Sequence, residues 1–472
     1  MPSILQRPAI LGLGLAAAAF VFAVPSRLCA DDESQSEAPQ LSDATGDGLA
    51  KLEPLIKDKD WSGAIKLVDG LLEQATPESY DQAWLNETEA QIFTQKGDYP
   101  AAIKPLETSL AVADRHHYFQ AKQEADMLYF LSQLYSMQAE AAKTDHDLQN
   151  EAYEKAISTI ERWFVVSGKP TEDISMYYAQ LLYAEAVAKD PAHADMALVH
   201  KAREQIEKTL LMSVHPKDSV YVFLLATLQQ EVDYKRAAEV LELLLSRNPN
   251  SKTYWMDLNM FYMALAQDPK DKDPRMIRRY NIRAINTIER AQALGFMKAP
   301  RDNYTLFTLY YNIGEFGIAS DLLYNGLESG SIDSTMDNWL LLSASYQQIN
   351  QDFKAIEVLE EAAKRFPTNG ELEFKIGQLY QGVDNNQKAF EHYKAAVEKG
   401  HLLKAQPVYV FLAYVAYELG YLDDAKLAIE KAVKMTPDDK QVLGLEGAID
   451  EGIKERDAKK APAPAPTADD KL

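Results

Sequence analysis

Few side chains of this 472-residue chain have a spacing that suits metal binding. His193 and His200 lie seven residues apart, a spacing at which two metal ligands on a single helix would share one face. No His-Glu-x-x-His or Cys-x-x-Cys pattern accompanies them, so we interpret the pair as polar residues of a long turn and the helix after it. His116 and His117 are adjacent and point apart on a helix. The sequence therefore predicts no metal site.

Acidic and glycine-containing stretches give no stronger indication of catalysis. Asp268, Asp271 and Asp273 share a loop with two lysines, whereas a calcium loop needs more uncompensated oxygens and a glycine turn. Residues 43–48 (DATGDG) begin like a calcium loop, but the twelfth position is proline instead of glutamate. Residues 326–331 (GLESGS) lack the strand–turn–helix context of a nucleophile elbow. We predict a protein that is not an enzyme, has no cofactor and has no evident small-molecule substrate.

The elements that must position any functional side chain are helices. Apolar residues recur at i, i+3, i+4 and i+7 along the body of the chain, and runs of alternating β-branched residues are missing. Two kinds of break alternate along the chain: a short one, such as 95–99 or 418–422, joins two helices, and a second, such as 365–369 or 246–250, ends the pair. Gly and Asn in the breaks permit the left-handed turn that ends a helix, and Pro prevents its continuation. The pattern predicts helix–turn–helix units without a sheet.

These units repeat with a period near 34 residues. An offset of 34 aligns Tyr346 with Tyr380 and Ala355 with Ala389. A single helix pair cannot bury both of its apolar stripes, so stacked pairs must share a continuous core. Small residues are expected where the helices of a pair approach closely, and large ones between neighbouring pairs. Three longer units are predicted to lengthen the turn inside a pair, at 141–153, 188–200 and 266–280.

The repeated skeleton resembles the tetratricopeptide repeat (TPR). Three stretches carry the resemblance: Trp339-Leu342-Tyr346-Ala355-Leu359-Ala362-Pro367, Tyr409-Leu412-Ala413-Ala416-Gly420-Ala425-Ile429-Ala432-Pro437 and Tyr221-Leu224-Leu228-Ala237-Leu241-Pro249. Units start near 83, 218, 252, 300, 336, 370 and 406, and looser ones near 45, 125 and 174. We predict an all-α fold, an α-solenoid (superhelix) of about ten TPR-like repeats.

The composition divides the chain into six segments. They are a signal peptide (1–30), an acidic disordered leader (31–48), divergent repeats (49–216), regular repeats (217–440), a capping helix (441–456) and an Ala/Pro-rich disordered tail (457–472). Asp plus Glu number 71 against 49 Lys plus Arg, a net charge of −22. Such a surface repels phosphate backbones, so nucleic acid is not expected as a partner.

The N-terminal residues are typical of an export signal. An apolar run covers residues 9–24, which suits a signal peptide and is short for a membrane span. Cleavage is expected after Ala30, with Ala23 or retention as an anchor as alternatives. Cleavage after Ala30 removes Cys29, the single cysteine; Leu28 just before it disfavours a lipoprotein signal. We expect a periplasmic protein that reaches membranes only through partners or an uncleaved signal.

The TPR resemblance implies that positions 2, 5, 9 and 12 of the first helix in each pair line a concave groove. From these positions, the candidate protein-binding residues are Met256, Met260, Met263, Tyr304, Tyr311, Gln347, Gln378, Tyr414 and Tyr417. Chaperone-binding members of the family carry Lys at position 5 and Asn at position 9, which no aligned repeat here has. Tyr and Met give adaptable contact area for a protein or peptide partner. The alternative is that these residues pack the next repeat.

A closer resemblance is to exported TPR proteins encoded beside TonB, ExbB and ExbD, which carry inner-membrane energy to outer-membrane transporters. It rests on residues 161–184, 244–267, 318–332 and 389–402, including the segment LYNGLESG. It implies a non-catalytic periplasmic scaffold or adaptor that binds a protein in a TonB-type envelope transport system. The alternative function is an envelope assembly factor or chaperone-like holdase for secreted or unfolded chains.

Overall fold

The computed structural model describes residues 39–268, 270 and 273–460, and helices are the only regular elements in this part of the chain. Contacts divide the chain after Asp257 into two compact units, and the division falls inside helix α12 (Lys252–Ala266). Unit 1 contains α1 (Asp43–Leu49), α2 (Leu52–Lys57), α3 (Trp61–Leu72), α4 (Tyr80–Lys96), α5 (Tyr99–His116), α6 (Ala121–Ala141), α7 (His146–Ser167), α8 (Glu172–Ala188), α9 (Met196–Leu210), α10 (Asp218–Gln230) and α11 (Tyr234–Arg247). Unit 2 contains α13 (Pro274–Ala293), α14 (Pro300–Asn312), α15 (Phe316–Ser329), α16 (Met336–Gln348), α17 (Asp352–Arg365), α18 (Gly370–Gly382), α19 (Asn386–Lys399), α20 (Ala405–Glu418), α21 (Leu422–Met435) and α22 (Lys440–Lys460).

Within each unit the helices pack as consecutive pairs. The pairs are α4–α5, α6–α7, α8–α9 and α10–α11 in unit 1, and α14–α15, α16–α17, α18–α19 and α20–α21 in unit 2. The second helix of a pair also contacts the first helix of the next pair. The first helices begin within four residues of the predicted unit starts. The predicted all-α solenoid of TPR-like helix pairs is confirmed.

Small residues lie where the two helices of a pair meet, as the repeat pattern predicts. Ala355, Ala389 and Ala425 have no exposed surface. In the α16–α17 pair, the hydroxyl of Ser343 donates to the carbonyl oxygen of Ala355 at 3.0 Å. A larger residue than alanine would separate the two backbones, so these positions permit close packing.

The breaks between helices use asparagine differently from the prediction. Gly97 ends α4 with a left-handed φ of 83°, as predicted for glycine. Asn248 and Asn369 instead have φ values of −131° and −91°. The side-chain oxygen of Asn369 accepts a hydrogen bond from the backbone N–H of Leu372 at 3.1 Å, which caps the start of α18. The prediction of a left-handed turn was therefore wrong for these asparagines.

One of the three longer units differs from the predicted lengthened turn, and a second agrees with it. The insertion at 141–153 mostly extends α6 and α7 to 21 and 22 residues, since helical hydrogen bonds satisfy its backbone, and only 142–145 form the turn. The insertion at 188–200 forms a turn with a short 3₁₀ helix (Pro191–His193). The third lies between α12 and α13, and its residues 269, 271 and 272 are outside the described residues.

The segments at the two ends are partly described. The predicted signal peptide and residues 31–38 lie outside the described part of the chain. The leader prediction was wrong for residues 43–48, because Ser42 caps α1 by accepting from the N–H of Thr45 at 3.3 Å. Helix α22 extends to Lys460, so residues 457–460 of the predicted disordered tail are helical. Residues 461–472 lie outside the described residues. Among the described helices, none has the length and apolarity to cross a membrane.

Candidate protein-binding face

Eight tyrosines of unit 2 form two groups that differ in the partner of the hydroxyl. In the first group the hydroxyl donates to a side chain of another helix. These bonds are Tyr310 to Glu289 (2.6 Å), Tyr380 to Glu360 (2.6 Å), Tyr393 to Gln381 (2.7 Å) and Tyr421 to Gln387 (2.9 Å). Because each bond joins one helix to another helix or to its cap residue, this group stabilises the packing of neighbouring helices.

The second group, Tyr304, Tyr311, Tyr414 and Tyr417, lies at the predicted groove positions, and its hydroxyls have no hydrogen bond to any described residue. The same is true of four other tyrosines of unit 2, Tyr280, Tyr324, Tyr346 and Tyr409. Tyr304 and Tyr414 are 37% and 43% exposed. Tyr311 and Tyr417 are half-buried, and their rings pack against the core of unit 2. The Tyr311 ring meets the Phe316 ring edge-on with centroids 4.9 Å apart. Tyr311 and Tyr417 thus combine a supported ring with a hydroxyl that has no partner among the described residues, and Tyr304 and Tyr414 present aromatic surface to solvent; both features suit contact with another chain.

Two amides complete this set of predicted residues. Gln347 is exposed, and Gln378 is half-buried with its oxygen accepting from the Lys375 ammonium at 3.2 Å. We define the tyrosine face as Tyr304, Tyr311, Gln347, Gln378, Tyr414 and Tyr417. All six lie on first helices of unit 2, namely α14, α16, α18 and α20.

Contacts between these first helices place them side by side. The rings of Phe374 on α18 and Phe411 on α20 lie 5.6 Å apart. The side-chain nitrogen of Asn369, at the start of α18, lies 3.0 Å from the sulfur of Met336 on α16. A segment that runs across the helix axes can therefore contact α16, α18 and α20 in turn.

The predicted methionines lie on α12. Met256 belongs to unit 1 and is 47% exposed, and Met260 belongs to unit 2 and is 42% exposed. Met263 is half-buried, and its sulfur accepts from the side-chain nitrogen of Asn259 at 3.4 Å. Met263 therefore has a packing role, whereas the other two present apolar surface to solvent.

Sequence reasoning missed one charged residue on the tyrosine face. Three lysines among the described residues are partly buried: Lys375, Lys399 and Lys426. Lys399 and Lys426 pair with carboxylates at 2.6 and 2.8 Å. Lys375 has no carboxylate within 4 Å in the described chain, and its ammonium contacts only the oxygen of Gln378 and the Phe374 ring. The available signal was a single lysine within the apolar stretch EFKIGQL.

A buried carboxyl in unit 1 was also missed. Glu87 on α4 is only 7% exposed. Its oxygens accept from the amide nitrogens of Gln123 at 2.8 Å and Gln91 at 3.4 Å. Burial raises the pKa of Glu87 to about 7. A shifted carboxyl can indicate a functional site, but the apolar neighbours Leu106 and Met127 supply no reacting group.

A polar cleft of about 500 Å³ lies elsewhere in unit 1. It is lined by Asp114, His117, Phe119, Glu124 and Arg162, together with Ala113. The guanidinium of Arg162 donates to Glu124 at 2.5 Å and to Asp114. These bonds connect α5, α6 and α7, so we interpret the cluster as a structural ion-pair network.

The histidines singled out in the sequence each have separate partners. His193 lies 2.5 Å from Asp190 in the short 3₁₀ turn, and His200 on α9 lies 3.1 Å from Glu231. Within the described residues, no group of three or more His, Cys, Asp or Glu side chains could hold a metal ion.

The comparisons with known proteins identify one repeat directly. Residues 406–439 match the tetratricopeptide repeat model, and they coincide with the α20–α21 pair. No curated protein sequence matches this chain. Solved structures that resemble the chain include YrrB, described as a TPR protein with an unusual peptide-binding site, at 16% identity over 45% of this chain and 100% of that chain, with a TM-score of 0.31. A TPR protein from Parabacteroides merdae is 13% identical over 58% of this chain and 98% of that chain, with a TM-score of 0.27. The Cut9–Hcn1 hetero-tetramer of the APC/C is 13% identical over 88% of this chain and 91% of that chain, with a TM-score of 0.26.

Because all these TM-scores lie below 0.5, the assignment depends on the matched repeat and on the helix contacts of this chain. Residues 406–439 are a tetratricopeptide repeat, and the helix pairs in both units have the same architecture. The chain thus contains a tetratricopeptide repeat among helix pairs of the same architecture, and this fold suggests a protein-binding scaffold.

Proposed function

We propose that this protein is a non-catalytic scaffold that binds a segment of a partner protein on the tyrosine face of unit 2. The observation that supports the proposal is that Tyr304 and Tyr414, on first helices of unit 2, are 37% and 43% exposed. Tyr310, Tyr380 and Tyr393 bond across helices. The hydroxyls of Tyr304, Tyr311, Tyr414 and Tyr417 have no hydrogen-bond partner among the described residues. Tyrosine is enriched among the few residues that dominate interface energies, because it offers a large contact area and a hydrogen-bonding tip.

We further propose that the partner is an envelope protein, within a TonB-type transport system. This setting is supported by the charged start and apolar run of the first 24 residues and by the resemblance to exported TPR proteins encoded beside TonB, ExbB and ExbD. The mature chain then begins at Asp31 in the periplasm. N-terminal sequencing of the protein from the envelope fraction tests the location, and a retained Met1 would contradict cleavage.

The test of the face is the double variant Tyr304→Ala plus Tyr414→Ala. Binding is measured by titration with the purified periplasmic domains of TonB and ExbD. Truncation of one interface hot spot costs about 2 kcal/mol or more, so we expect a loss of at least about thirtyfold in affinity. Circular dichroism and thermal melting of the same variant separate lost binding from lost folding.

Phe353→Ala is the matched control. Phe353 is 70% exposed but lies on α17, the second helix of its pair, away from the tyrosine face. Its truncation removes a similar aromatic surface and should leave binding unchanged. Equal affinities for the double variant and the original chain would contradict the proposed face.

The second candidate function, a holdase for unfolded chains, has one observation in its favour. Met256 and Met260 are each more than 40% exposed on α12, and flexible thioethers adapt to many partners. A holdase should suppress aggregation of a reduced, unfolded client at equimolar ratio, and Met256→Ser plus Met260→Ser should remove this effect. A single stable complex without suppression would favour the scaffold.

A further inference from the structure

We propose that residues 461–472 of the same chain bind across the α18 and α20 part of the tyrosine face of unit 2, with Asp469 and Asp470 paired to Lys375. The inference rests on the proposed function of that face and names one occupant of it. In this arrangement the segment competes with the partner protein, so that binding of a partner requires displacement of the chain's own residues.

The composition of the segment suits a tyrosine-lined surface. Residues 461–472 read APAPAPTADDKL. Alternating Ala and Pro favours the polyproline II conformation, in which backbone carbonyls have no internal hydrogen bonds. Such segments bind aromatic-lined grooves at a low entropy cost, because the extended form is already favoured before binding. Unpaired tyrosine hydroxyls supply donors for these carbonyls.

The end of α22 places the segment beside α20. A Cβ atom added to Gly452 on α22 would lie 3.3 Å from a ring carbon of Tyr417, so the two helices are in contact at that level. Eight further residues of helix carry the chain roughly 12 Å to Lys460. The segment therefore starts near the end of the tyrosine face formed by Tyr414 and Tyr417.

The length of the segment is sufficient to reach Lys375. From α22 to α20 and from α20 to α18 the spacing of packed helices is about 10 Å at each step. Together with the distance along the helix axes, Lys375 lies on the order of 30 Å from Lys460. In polyproline II the nine residues up to Asp469 extend about 28 Å, and the lysine side chain spans the remainder.

Charge supports the same placement of Asp469 and Asp470 beside Lys375. Lys375 is the partly buried lysine that lacks a carboxylate within 4 Å in the described chain, although acidic residues outnumber basic ones by 71 to 49. It lies on α18 beside Gln378, at the far end of the path from α22. Asp469 and Asp470 bring two carboxylates to that end of the segment.

The experiment uses a fluorescein-labelled synthetic peptide of residues 461–472 and two forms of the full chain. One form is intact, and the altered-tail form carries Pro462→Gly, Pro464→Gly, Pro466→Gly, Asp469→Asn and Asp470→Asn. Fluorescence anisotropy measures peptide binding to each. We expect at least about tenfold weaker binding to the intact chain, since its own segment competes at a high effective concentration.

A double-mutant cycle tests the ion pair. In the altered-tail chain, Lys375→Gln should weaken peptide binding about fivefold, and so should a peptide with both aspartates changed to asparagine. The two changes together should cost no more than either alone, because they remove the same interaction. Lys388→Gln is the control, since that lysine contacts the Tyr380 hydroxyl at 2.9 Å on the second helix of the same pair.

Three results would overturn the inference. The first is equal peptide affinity for the intact and altered-tail chains, and the second is additive effects of the lysine and aspartate changes. The third is competition between the peptide and the intact chain's own segment that disappears on dilution, which would assign the contact to a second copy of the chain. If the TonB or ExbD domain binds through Tyr304 and Tyr414 while the peptide does not bind, this inference fails and the proposed function stands. If neither binds, the proposed function fails as well.

Discussion

Replacement of the buried Glu87 by glutamine should stabilise unit 1 at neutral and alkaline pH. Glu87 is 7% exposed, and burial raises its pKa from 4.5 to about 7. One pKa unit corresponds to about 1.4 kcal/mol, so the ionised carboxylate costs the folded state about 3 kcal/mol above pH 7. Below pH 4.5 the group is protonated in both states and this cost disappears.

The sign of the effect follows from the raised pKa. The folded state binds the proton more tightly than the unfolded state, so stability is highest below pH 4.5 and falls as the pH rises through 7. A glutamine keeps the shape, and its oxygen can still accept from Gln123, but it never ionises. We therefore expect Glu87→Gln to raise the free energy of unfolding by about 3 kcal/mol at pH 8 and about 1 kcal/mol at pH 5.5.

The assay is urea unfolding followed by circular dichroism and tryptophan fluorescence at both pH values. Glu239→Gln on α11 is the control, because Glu239 is exposed and its replacement should change stability by less than about 0.5 kcal/mol. Two results would refute the reasoning. One is a destabilised Glu87→Gln chain at pH 8, and the other is a gain that is independent of pH.

Two further predictions concern packing and an ion-pair cluster. Gly377→Ala on α18 should lower the free energy of unfolding by about 1–3 kcal/mol, because its Cβ would lie 2.6 Å from the fully buried Tyr393 ring. The control is Gly447→Ala on α22, whose Cβ would meet nothing within 4 Å. It should raise the free energy of unfolding, measured in urea, by about 0.5–1 kcal/mol. Glu373→Gln should destabilise unit 2 by about 1.5–3 kcal/mol at pH 7, because its carboxylate accepts from His392 and Lys399 at 2.6 Å each. Burial alone would raise the pKa of Glu373, but these two bonds lower it below 4.5. The stabilisation that the carboxylate gives to the folded state is therefore lost as the pH falls through that lowered pKa. The melting temperatures of the variant and the original chain should converge in acid.

The fold could be predicted from the sequence because its determinants are local and repeated. Alanines such as Ala355 and Ala389 recur at a fixed offset, and each needs only its own helix pair to be buried. The unit starts followed from the 3.6-residue periodicity and from glycine turns such as Gly97. Asn369 was misread because a single residue between two helices can end one or cap the other, and only the backbone path distinguishes the two roles.

The candidate site could be predicted only in part. Positions 5, 9 and 12 of the first helices located Tyr304 and Tyr414 on α14 and α20 from sequence alone. Which tyrosine hydroxyls remain unpaired was decided by the tertiary structure, since the partners of Tyr310 and Tyr380 lie 20 or 21 residues away on another helix.

The environments of the charged groups could not be predicted from the sequence for the same physical reason. The isolation of Lys375 and the burial of Glu87 depend on which side chains surround them, and burial is a property of the packed units. Periodicity specifies which face of a helix is apolar, because neighbours on a helix are neighbours in sequence. The pairing and the pKa of a polar side chain depend on residues from other helices, which only the folded chain brings within hydrogen-bonding distance.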